Sequence, residues 1–275
     1  MLLTMLVAAW LGLLTSCSGE RTYELYSPDN ELKVMIQPQE DGTLSYSFTA
    51  KGIELIRESA LGFKVESQEV VPAAGWKIEN VSDRKVREEW KPLWGKRSVV
   101  KDHFNELLFD LSNPSGKPER MQLLVRSYDD GIAFRYQVPG ESGEAVKVES
   151  ELTSYNFVGD YTAWFYNKEN HNIGPEKLSE TDSIRLPIMI IQAGKDQFMA
   201  IHEADLVSGE PLILQSKAGE TLFSVVSKPQ TLEPGYTSAW RVIMFGEKAG
   251  DLVDSHLIEL LNPEPDSAYV FASWV

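Results

Sequence analysis

The chain has 275 residues, of which 43% are hydrophobic and 24% are charged, and its formal net charge is −15. This composition excludes a disordered chain and is typical of one large globular domain. The acidic balance disfavours nucleic acid phosphates and anionic lipid, so we expect no nucleic acid partner, whereas neutral sugars and cations such as Ca²⁺ are compatible with it.

The first segment of the chain predicts export. Residues 1–14 are almost wholly apolar, a run that is too short to span a bilayer and is typical of a signal-peptide core. Leu14-Thr15-Ser16-Cys17 follows and resembles the bacterial lipobox, in which the cysteine is acylated after cleavage. Cys17 is the only cysteine and has no disulfide partner within the chain. We predict a signal peptide over residues 1–19, lipidation of Cys17 and a lipid-anchored protein in the periplasm or outer membrane; an ordinary signal peptide with an unmodified cysteine is the alternative.

After residue 19 the pattern is one strand after another. Short runs that alternate apolar and polar residues, or are largely apolar, are bounded by turn residues and predict strands. These runs cover residues 32–36, 44–48, 61–65, 76–81, 212–215, 222–226 and 239–245.

Two hairpins are predicted. Residues 121–128 and 132–138 flank Asp129-Asp130-Gly131, and Asp-Gly between alternating apolar runs is a strong hairpin signal. Ile132, Phe134, Tyr136 and Val138 should share its buried face. The second hairpin joins residues 187–193 to 198–202 through Gly194-Lys195-Asp196-Gln197.

One helix is predicted over residues 249–261, where apolar residues recur at helical spacing before Asn262-Pro263. The polar stretch 167–182 contains Gly and Pro and predicts a long loop. Many short strands at intervals of roughly ten residues indicate an all-β sandwich or barrel, with a single domain over residues 20–262.

Few residues point to chemistry. Nucleotide-binding, serine-elbow, HExxH and zinc-ligand patterns are absent from the sequence, and His256 is predicted to pack on the helix. In Met199-Ala200-Ile201-His202-Glu203-Ala204-Asp205-Leu206 a strand ends in three polar side chains, and Glu203 could offer a hard oxygen ligand to Ca²⁺. The alternative is a strand that runs out into a polar loop.

Two aromatic segments could stack on sugar rings. Trp90 and Trp94 flank Pro92, and Trp164-Phe165-Tyr166 opens the predicted long loop. Pro92 forbids a regular central strand in the first segment. The alternative in both segments, which we favour, is an aromatic corner packed into the core.

Several motifs in one order resemble the N-terminal domain of glycoside hydrolase family 97. They are Trp90-Lys91-Pro92-Leu93-Trp94-Gly95, His103-Phe104-Asn105-Glu106-Leu107, Arg126-Ser127-Tyr128-Asp129-Asp130-Gly131-Ile132-Ala133-Phe134-Arg135-Tyr136, Ile201-His202-Glu203-Ala204-Asp205-Leu206, Ala239-Trp240-Arg241-Val242-Ile243, Gly250-Asp251-Leu252-Val253, Leu261-Asn262-Pro263 and Ser273-Trp274-Val275.

The resemblance implies a galactose-mutarotase-like β-super-sandwich of antiparallel strands with one C-terminal helix. Residues 263–275 would be a linker and the start of a missing (β/α)₈ barrel, which supplies the catalytic carboxylates, so no catalytic residue is assigned to this chain. It also implies that Glu203 gives one ligand to a Ca²⁺ whose other ligands come from the barrel, and that His202 has no role. The implied partners are an α-linked oligosaccharide or glycan and a barrel, in cis or from a split gene.

Three functions follow for comparison. The first is a non-catalytic accessory domain of an α-glucosidase- or α-galactosidase-like enzyme, inactive alone, in which Glu203 is at least partly exposed toward the barrel. The second is a free-standing carbohydrate-binding lipoprotein. The third is an envelope structural protein without a ligand.

Overall fold

The computed structural model describes residues 21–66, 75–92, 97–113, 119–142, 144–168 and 171–263. The predicted signal peptide, Cys17 and nearly all of the predicted barrel segment lie outside these residues. The described strands are β1 (Tyr23–Tyr26), β2 (Leu32–Pro38), β3 (Leu44–Ala50), β4 (Ile53–Leu61), β5 (Phe63–Val65), β6 (Lys77–Trp90), β7 (Val100–Asn113), β8 (Glu119–Tyr128), β9 (Gly131–Gln137), β10 (Val146–Glu151), β11 (Ser154–Phe157), β12 (Thr162–Lys168), β13 (His171–Lys177), β14 (Ile184–Gly194), β15 (Gln197–Ala204), β16 (Leu214–Gln215), β17 (Leu222–Val225), β18 (Gln230–Leu232) and β19 (Trp240–Gly246). The described helices are α1 (Ala249–Asp254) and α2 (Leu257–Leu261).

These strands form two antiparallel layers. One layer runs β1-β2-β3-β4-β11-β17-β16, and the other runs β6-β7-β8-β9-β19-β15-β14-β12-β13. β14 joins them, because its first part pairs with β16 and its second part with β15. A small sheet, β18-β10-β5, lies beside them. The all-β sandwich prediction is confirmed.

The main core lies between the layers. Large side chains from both layers are buried there, among them Phe48 and Phe223 from one layer and Phe109 and Phe134 from the other. Fully burying one such aromatic side chain contributes roughly 1.5–3 kcal/mol. The sandwich is therefore stabilised chiefly by the alternating residues that its strands turn inward.

The first predicted hairpin is confirmed as β8 and β9, with Tyr128 opposite Gly131. The four residues expected on its buried face, Ile132, Phe134, Tyr136 and Val138, are each at most 1% exposed. Gly131 is required sterically, because a Cβ atom there would lie 2.5 Å from the carbonyl oxygen of Ile243. The second hairpin is confirmed as β14 and β15, with Ile191 opposite Met199.

The predicted long loop over residues 167–182 is wrong in its middle. β13 occupies residues 171–177 and pairs with β12, followed by a short 3₁₀ turn at Leu178–Glu180. β13 pairs with β12 alone and is the outermost strand of its layer. Polar residues are tolerated at such an edge, so the sequence of β13 has no apolar alternation from which a strand could be predicted. Its pairing with β12 is a tertiary feature that local composition does not reveal.

The predicted C-terminal helix forms as two short helices. The N–H of Ser255 bonds to the carbonyl of Asp251 and ends α1. The hydroxyl of Ser255 then donates to Asp130 on the β8–β9 turn, at 2.6 Å, and accepts the N–H of Leu257. These contacts give the chain a bend that the helical spacing of Leu252 and Leu257 cannot anticipate. None of the helices that the structure describes is long and apolar enough to cross a membrane.

Candidate functional site

Glu203 lies near the end of β15, close to the point where β14 leaves that strand. β14 pairs with β15 only from Met189 onward. Met199 and Ile201 on the same face of β15 are buried in the main core, so strand alternation turns Glu203 toward the interior. Its side chain is only 10% exposed and faces Arg241, so the expected exposure toward a barrel is slight, and the arginine partner is the outcome that favours a structural role.

Two groups hold one oxygen of Glu203. The N–H of Leu212, in the connection between β15 and β16, donates to Oε2, and Nη1 of Arg241 lies 3.6 Å from the same atom. Among the described residues, Oε1 has no hydrogen-bond partner. One oxygen is thus fixed by the fold, and the other remains open to a further ligand.

Arg241 lies on β19 directly opposite Glu203 and is the centre of the site. Its Nε and Nη2 donate to the two oxygens of Glu151 at 3.0 and 2.6 Å, and Nη1 donates to the carbonyl of Glu210 at 3.1 Å. The side chains of Arg241 and Glu151 are 2% and 4% exposed. The Arg241 guanidinium therefore contacts two carboxylates, and its contact with Glu151 is bidentate.

The cluster of Glu203, Arg241 and Glu151 holds more negative than positive charge. Burial raises the pKa of Glu203, while the Leu212 N–H and Arg241 oppose that shift. Burial alone would lower the pKa of Arg241, but the contacts with Glu151 outweigh it and raise that pKa, so Arg241 stays charged. Glu151 and Glu203 together offer two carboxylates to the single positive charge of Arg241, so the cluster has an excess of one negative charge. Glu203 has the longer contact with Arg241 and is therefore the acid whose charge is less compensated.

The loop that follows Glu203 is clamped from the outer face of the sheet. Nη1 of Arg135 donates to Oδ2 of Asp205 at 2.9 Å. The Arg135 guanidinium lies 4.4 Å from the ring centre of Trp240, and the Arg126 guanidinium lies 4.8 Å from it. Asp205 is therefore bonded to an arginine, Arg135, that itself packs over the buried indole of Trp240. This contact ties the loop to the sheet.

His202 has a local role in the structure. Its Nδ1 accepts the N–H of Glu203 at 2.8 Å, and burial lowers the pKa of the imidazole. A neutral ring is what this acceptor role requires. His202 therefore shapes the end of β15, which is consistent with leaving it without a ligand role.

The two aromatic segments were expected to pack into the core, and the structure places only part of them there. Trp90 is 42% exposed at the end of β6, so it does not pack in the core, and Trp94 lies outside the described residues. Phe165 is buried as expected. Trp164 and Tyr166 point to the other face of β12 and are half-buried. β6 lies at the edge of its layer, and an edge residue has a neighbour on one side only.

A calcium site is not complete within this part of the chain. The described residues contain no group of three or more His, Cys, Asp or Glu side chains that could hold a metal ion. Ca²⁺ takes six to eight oxygen ligands, and Glu203 offers one free oxygen while Asp205 is already paired with Arg135. The residues fit one ligand of a shared site and do not fit a site of their own.

Sequence reasoning missed Arg241 and Leu212, which hold Glu203, and Glu151, which shares Arg241 with it. Arg241 did carry a signal, because a charged residue inside the apolar run 239–245 demands a buried partner. The partner itself could not be found, since Glu151 is 90 residues away in sequence. The backbone N–H of Leu212 carries no sequence signal at all.

The chain matches a known family over most of its length. The family described as "Glycosyl-hydrolase 97 N-terminal" matches residues 25–264. A retaining α-galactosidase of Bacteroides thetaiotaomicron is 24% identical over 241 residues, which are 80% of this chain and 35% of the relative. A probable retaining α-galactosidase of Streptomyces bingchenggensis is 24% identical over 242 residues, which are 85% of this chain and 36% of the relative.

Solved structures agree with this match. A glycoside hydrolase family 97 enzyme from Pseudoalteromonas sp. strain K8, solved with panose, superposes with a TM-score of 0.77 and is 26% identical, covering 92% of this chain and 39% of that chain. The chain thus spans a little over a third of the length of these relatives. Since the matching region includes all the described strands but the first residues of β1, the chain belongs to glycosyl-hydrolase family 97 and forms its N-terminal domain.

Proposed function

We propose that this chain is the non-catalytic sandwich of a glycoside hydrolase that acts on α-linked oligosaccharides or glycans, working with a catalytic (β/α)₈ barrel. The observation that carries the proposal is the family match over residues 25–264 in a chain that spans only 35–39% of its relatives. The named relatives are α-galactosidases and an enzyme solved with panose, and the proposed substrate class follows from them.

The test of this proposal is genetic and then enzymatic. The polypeptide encoded in phase or in a neighbouring frame beyond Val275 should contain a barrel, and the sandwich with that barrel should hydrolyse aryl α-galactosides or α-glucosides. A free-standing carbohydrate-binding lipoprotein would instead bind glycans alone and have no barrel nearby. An envelope structural protein would show neither property.

The finer proposal concerns Glu203 as one ligand of a Ca²⁺ shared with the barrel. Oε1 supports it, because that oxygen has no partner among the residues described and belongs to the undercompensated acid of the cluster. The Leu212 N–H and Arg241 would then keep the carboxylate in one orientation by holding Oε2. The competing role is structural, in which Glu203 only secures the connection to β16.

The Glu203→Gln variant separates these roles in two measurements. In the isolated chain the native state holds the Glu203 proton more tightly than the unfolded chain does, because burial raises the pKa above its ordinary value of 4.5. Stability from this group is present at low pH and falls as pH rises through the native pKa. We therefore expect the stability of Glu203→Gln, relative to the unsubstituted chain, to increase in urea titrations as the pH rises above the ordinary carboxyl pKa of 4.5.

The second measurement uses the sandwich together with its barrel. Glu203→Gln should weaken Ca²⁺ binding by calorimetry and lower activity with it, while Asp196→Asn, in the exposed β14–β15 turn, serves as the control. Unchanged Ca²⁺ affinity with the pH effect intact would leave Glu203 a purely structural residue.

The location is also proposed. We infer that Cys17 is the acylated first residue of the mature protein, since it follows the apolar run in a lipobox-like tetrapeptide. Several acyl chains on one cysteine give stable membrane anchoring, whereas a single chain gives marginal binding. Cys17→Ala should shift the protein from the membrane fraction to the soluble fraction. A mature N-terminus elsewhere without lipid, read by mass spectrometry, would contradict the proposal.

A further inference from the structure

A cleft lies between the first residues of β7 and the two helices. β7 pairs with β8 only from Asn105 onward, so residues 100–104 pair with β6 alone and form a two-stranded ribbon. The ribbon, the β8–β9 turn and the bend between α1 and α2 line the cleft, which has a volume of about 470 Å³. This volume lies in the range of natural small-molecule sites, so the cleft is large enough for a ligand.

The walls of this cleft carry opposite charges. Arg97 and Lys101 lie on the ribbon side, whereas Asp129 lies on the turn and Asp251 and Asp254 lie on α1. Among the described residues, no ion pair joins the basic side chains of the cleft to its acidic ones. The facing groups therefore keep hydrogen-bonding capacity for a molecule that lies between them.

Two buried polar atoms in the lining have no partner. Tyr128 is 2% exposed, and its Oη has no hydrogen-bond partner among the residues that the structure describes. The same holds for Nε2 of His256, whose Nδ1 contacts Glu259 at 2.5 Å. A buried polar atom without a partner costs stability, and a hydroxyl group satisfies either kind of atom because it both donates and accepts. A hydroxylated ligand therefore supplies what this lining lacks.

The composition of the lining selects a class of ligand. Four aspartates outnumber the two fixed cations, Arg97 and Lys101, so an anionic ligand is disfavoured. The described residues include no group of three or more side chains that could hold a metal ion, so these aspartates do not form a cation site. Val99, Val100 and Leu260 add an aliphatic surface beside the polar groups. A neutral saccharide matches this lining, because it carries hydroxyl groups on all sides and apolar C–H faces.

We propose that this cleft between ribbon and helices binds a neutral saccharide. Lys101 donates to its hydroxyl groups from one wall, and Asp254 accepts from them on the other. Tyr128 and His256 supply the remaining polar contacts, and the aliphatic side chains contact the sugar ring. The inference goes beyond the proposed function, because all of these residues belong to the sandwich and the site needs no residue of a barrel.

An NMR titration locates the site. The isotope-labelled 275-residue chain is titrated with panose, which carries an α-glucosyl group, or with raffinose, which carries an α-galactosyl group. The amide signals of Lys101, Asp129 and Ser255 should shift and saturate together with at least one of the two sugars. Signals around Asn80, at the far end of β6, should stay in place. Saturable shifts elsewhere in the chain, or none with either sugar, would overturn the proposal.

Two substitutions test the named contacts. Tyr128→Phe should weaken the sugar affinity by roughly tenfold, because one hydrogen bond is lost. It should not lower the urea unfolding midpoint, since the hydroxyl that it removes has no partner within the described chain. Asp254→Ala, at the exposed end of α1, should weaken binding to a similar extent. Tyr161→Phe, outside the cleft, is the matched control with unchanged affinity, and full affinity in both cleft variants would contradict the proposal.

The outcomes separate this site from the proposed function. An active enzyme with a barrel, whose sandwich binds neither sugar in the cleft, would overturn the site and leave the function intact. Binding in the cleft of a chain with no barrel encoded beyond Val275 would support the site and reject the function. Shifts of the cleft amides with Ca²⁺ or glycine, but with neither sugar, would show another class of ligand and would overturn the proposal.

Discussion

Replacing Arg241 with methionine is expected to destabilise the sandwich by roughly 3–5 kcal/mol. The substitution leaves the carboxylate of Glu151 buried without its guanidinium, and it also removes the partners of Glu203 and of the Glu210 carbonyl. Because domains are stable by only about 5–15 kcal/mol, this is a large share of the total. Urea titration followed by tryptophan fluorescence measures it.

A second substitution identifies the cause. Arg241→Met with Glu151→Leu should recover most of the lost stability, since a buried ion pair can be replaced by apolar groups at little cost. The exposed pair of Lys51 and Glu247, 2.8 Å apart, gives the control, because Lys51→Met should hardly move the midpoint. A double variant as unstable as Arg241→Met alone would mean that the loss comes from packing around Arg241.

The isolated chain is expected to show no turnover of aryl α-glucosides or α-galactosides. Glycoside hydrolysis needs two carboxyl groups that flank one bond, about 5–9.5 Å apart and open to the sugar. The two acids of the candidate site cannot serve, because Glu151 is 4% exposed and both acids are tied to Arg241. A colorimetric assay with purified chain, set against the sandwich with its barrel, measures a difference of many orders of magnitude.

Contaminating enzymes are the main concern in that assay. Glu203→Gln and the unsubstituted chain should give the same background, and both should fall with further purification. Turnover that persists in pure protein and vanishes on substitution of one carboxylate would contradict the prediction and assign catalysis to this chain.

The strands with strict alternation were predictable, as the β8–β9 hairpin shows. The alternation that carries Ile132, Phe134 and Tyr136 and the Asp-Gly turn are local properties, so the residues themselves indicated the strand and the face that enters the main core. The same logic found β14, β15 and β19. Order and spacing of short motifs also identified the family, which the match over residues 25–264 confirms.

Elements defined by pairing were not predictable. β13 was expected to be a loop because its stability comes from its bonds to β12, and polar residues suffice for that at a sheet edge. The bend between α1 and α2 depends on Asp130, far away in sequence, through the 2.6 Å bond from Ser255. Trp90 was expected in the core, but it lies at an edge strand and is 42% exposed.

The sequence by itself determined that this chain is an all-β sandwich of family 97 and that Glu203 ends a strand, because alternation and motif order are encoded in neighbouring residues. Only the tertiary structure decided what surrounds that carboxylate. Strand alternation turned Glu203 inward, and pairing of β15 with β19 brought Arg241 opposite it, with Glu151 and Leu212 completing the cluster. Arg241 and the two carboxylates come from strands that are distant in sequence, so their contacts exist only after the layers have closed.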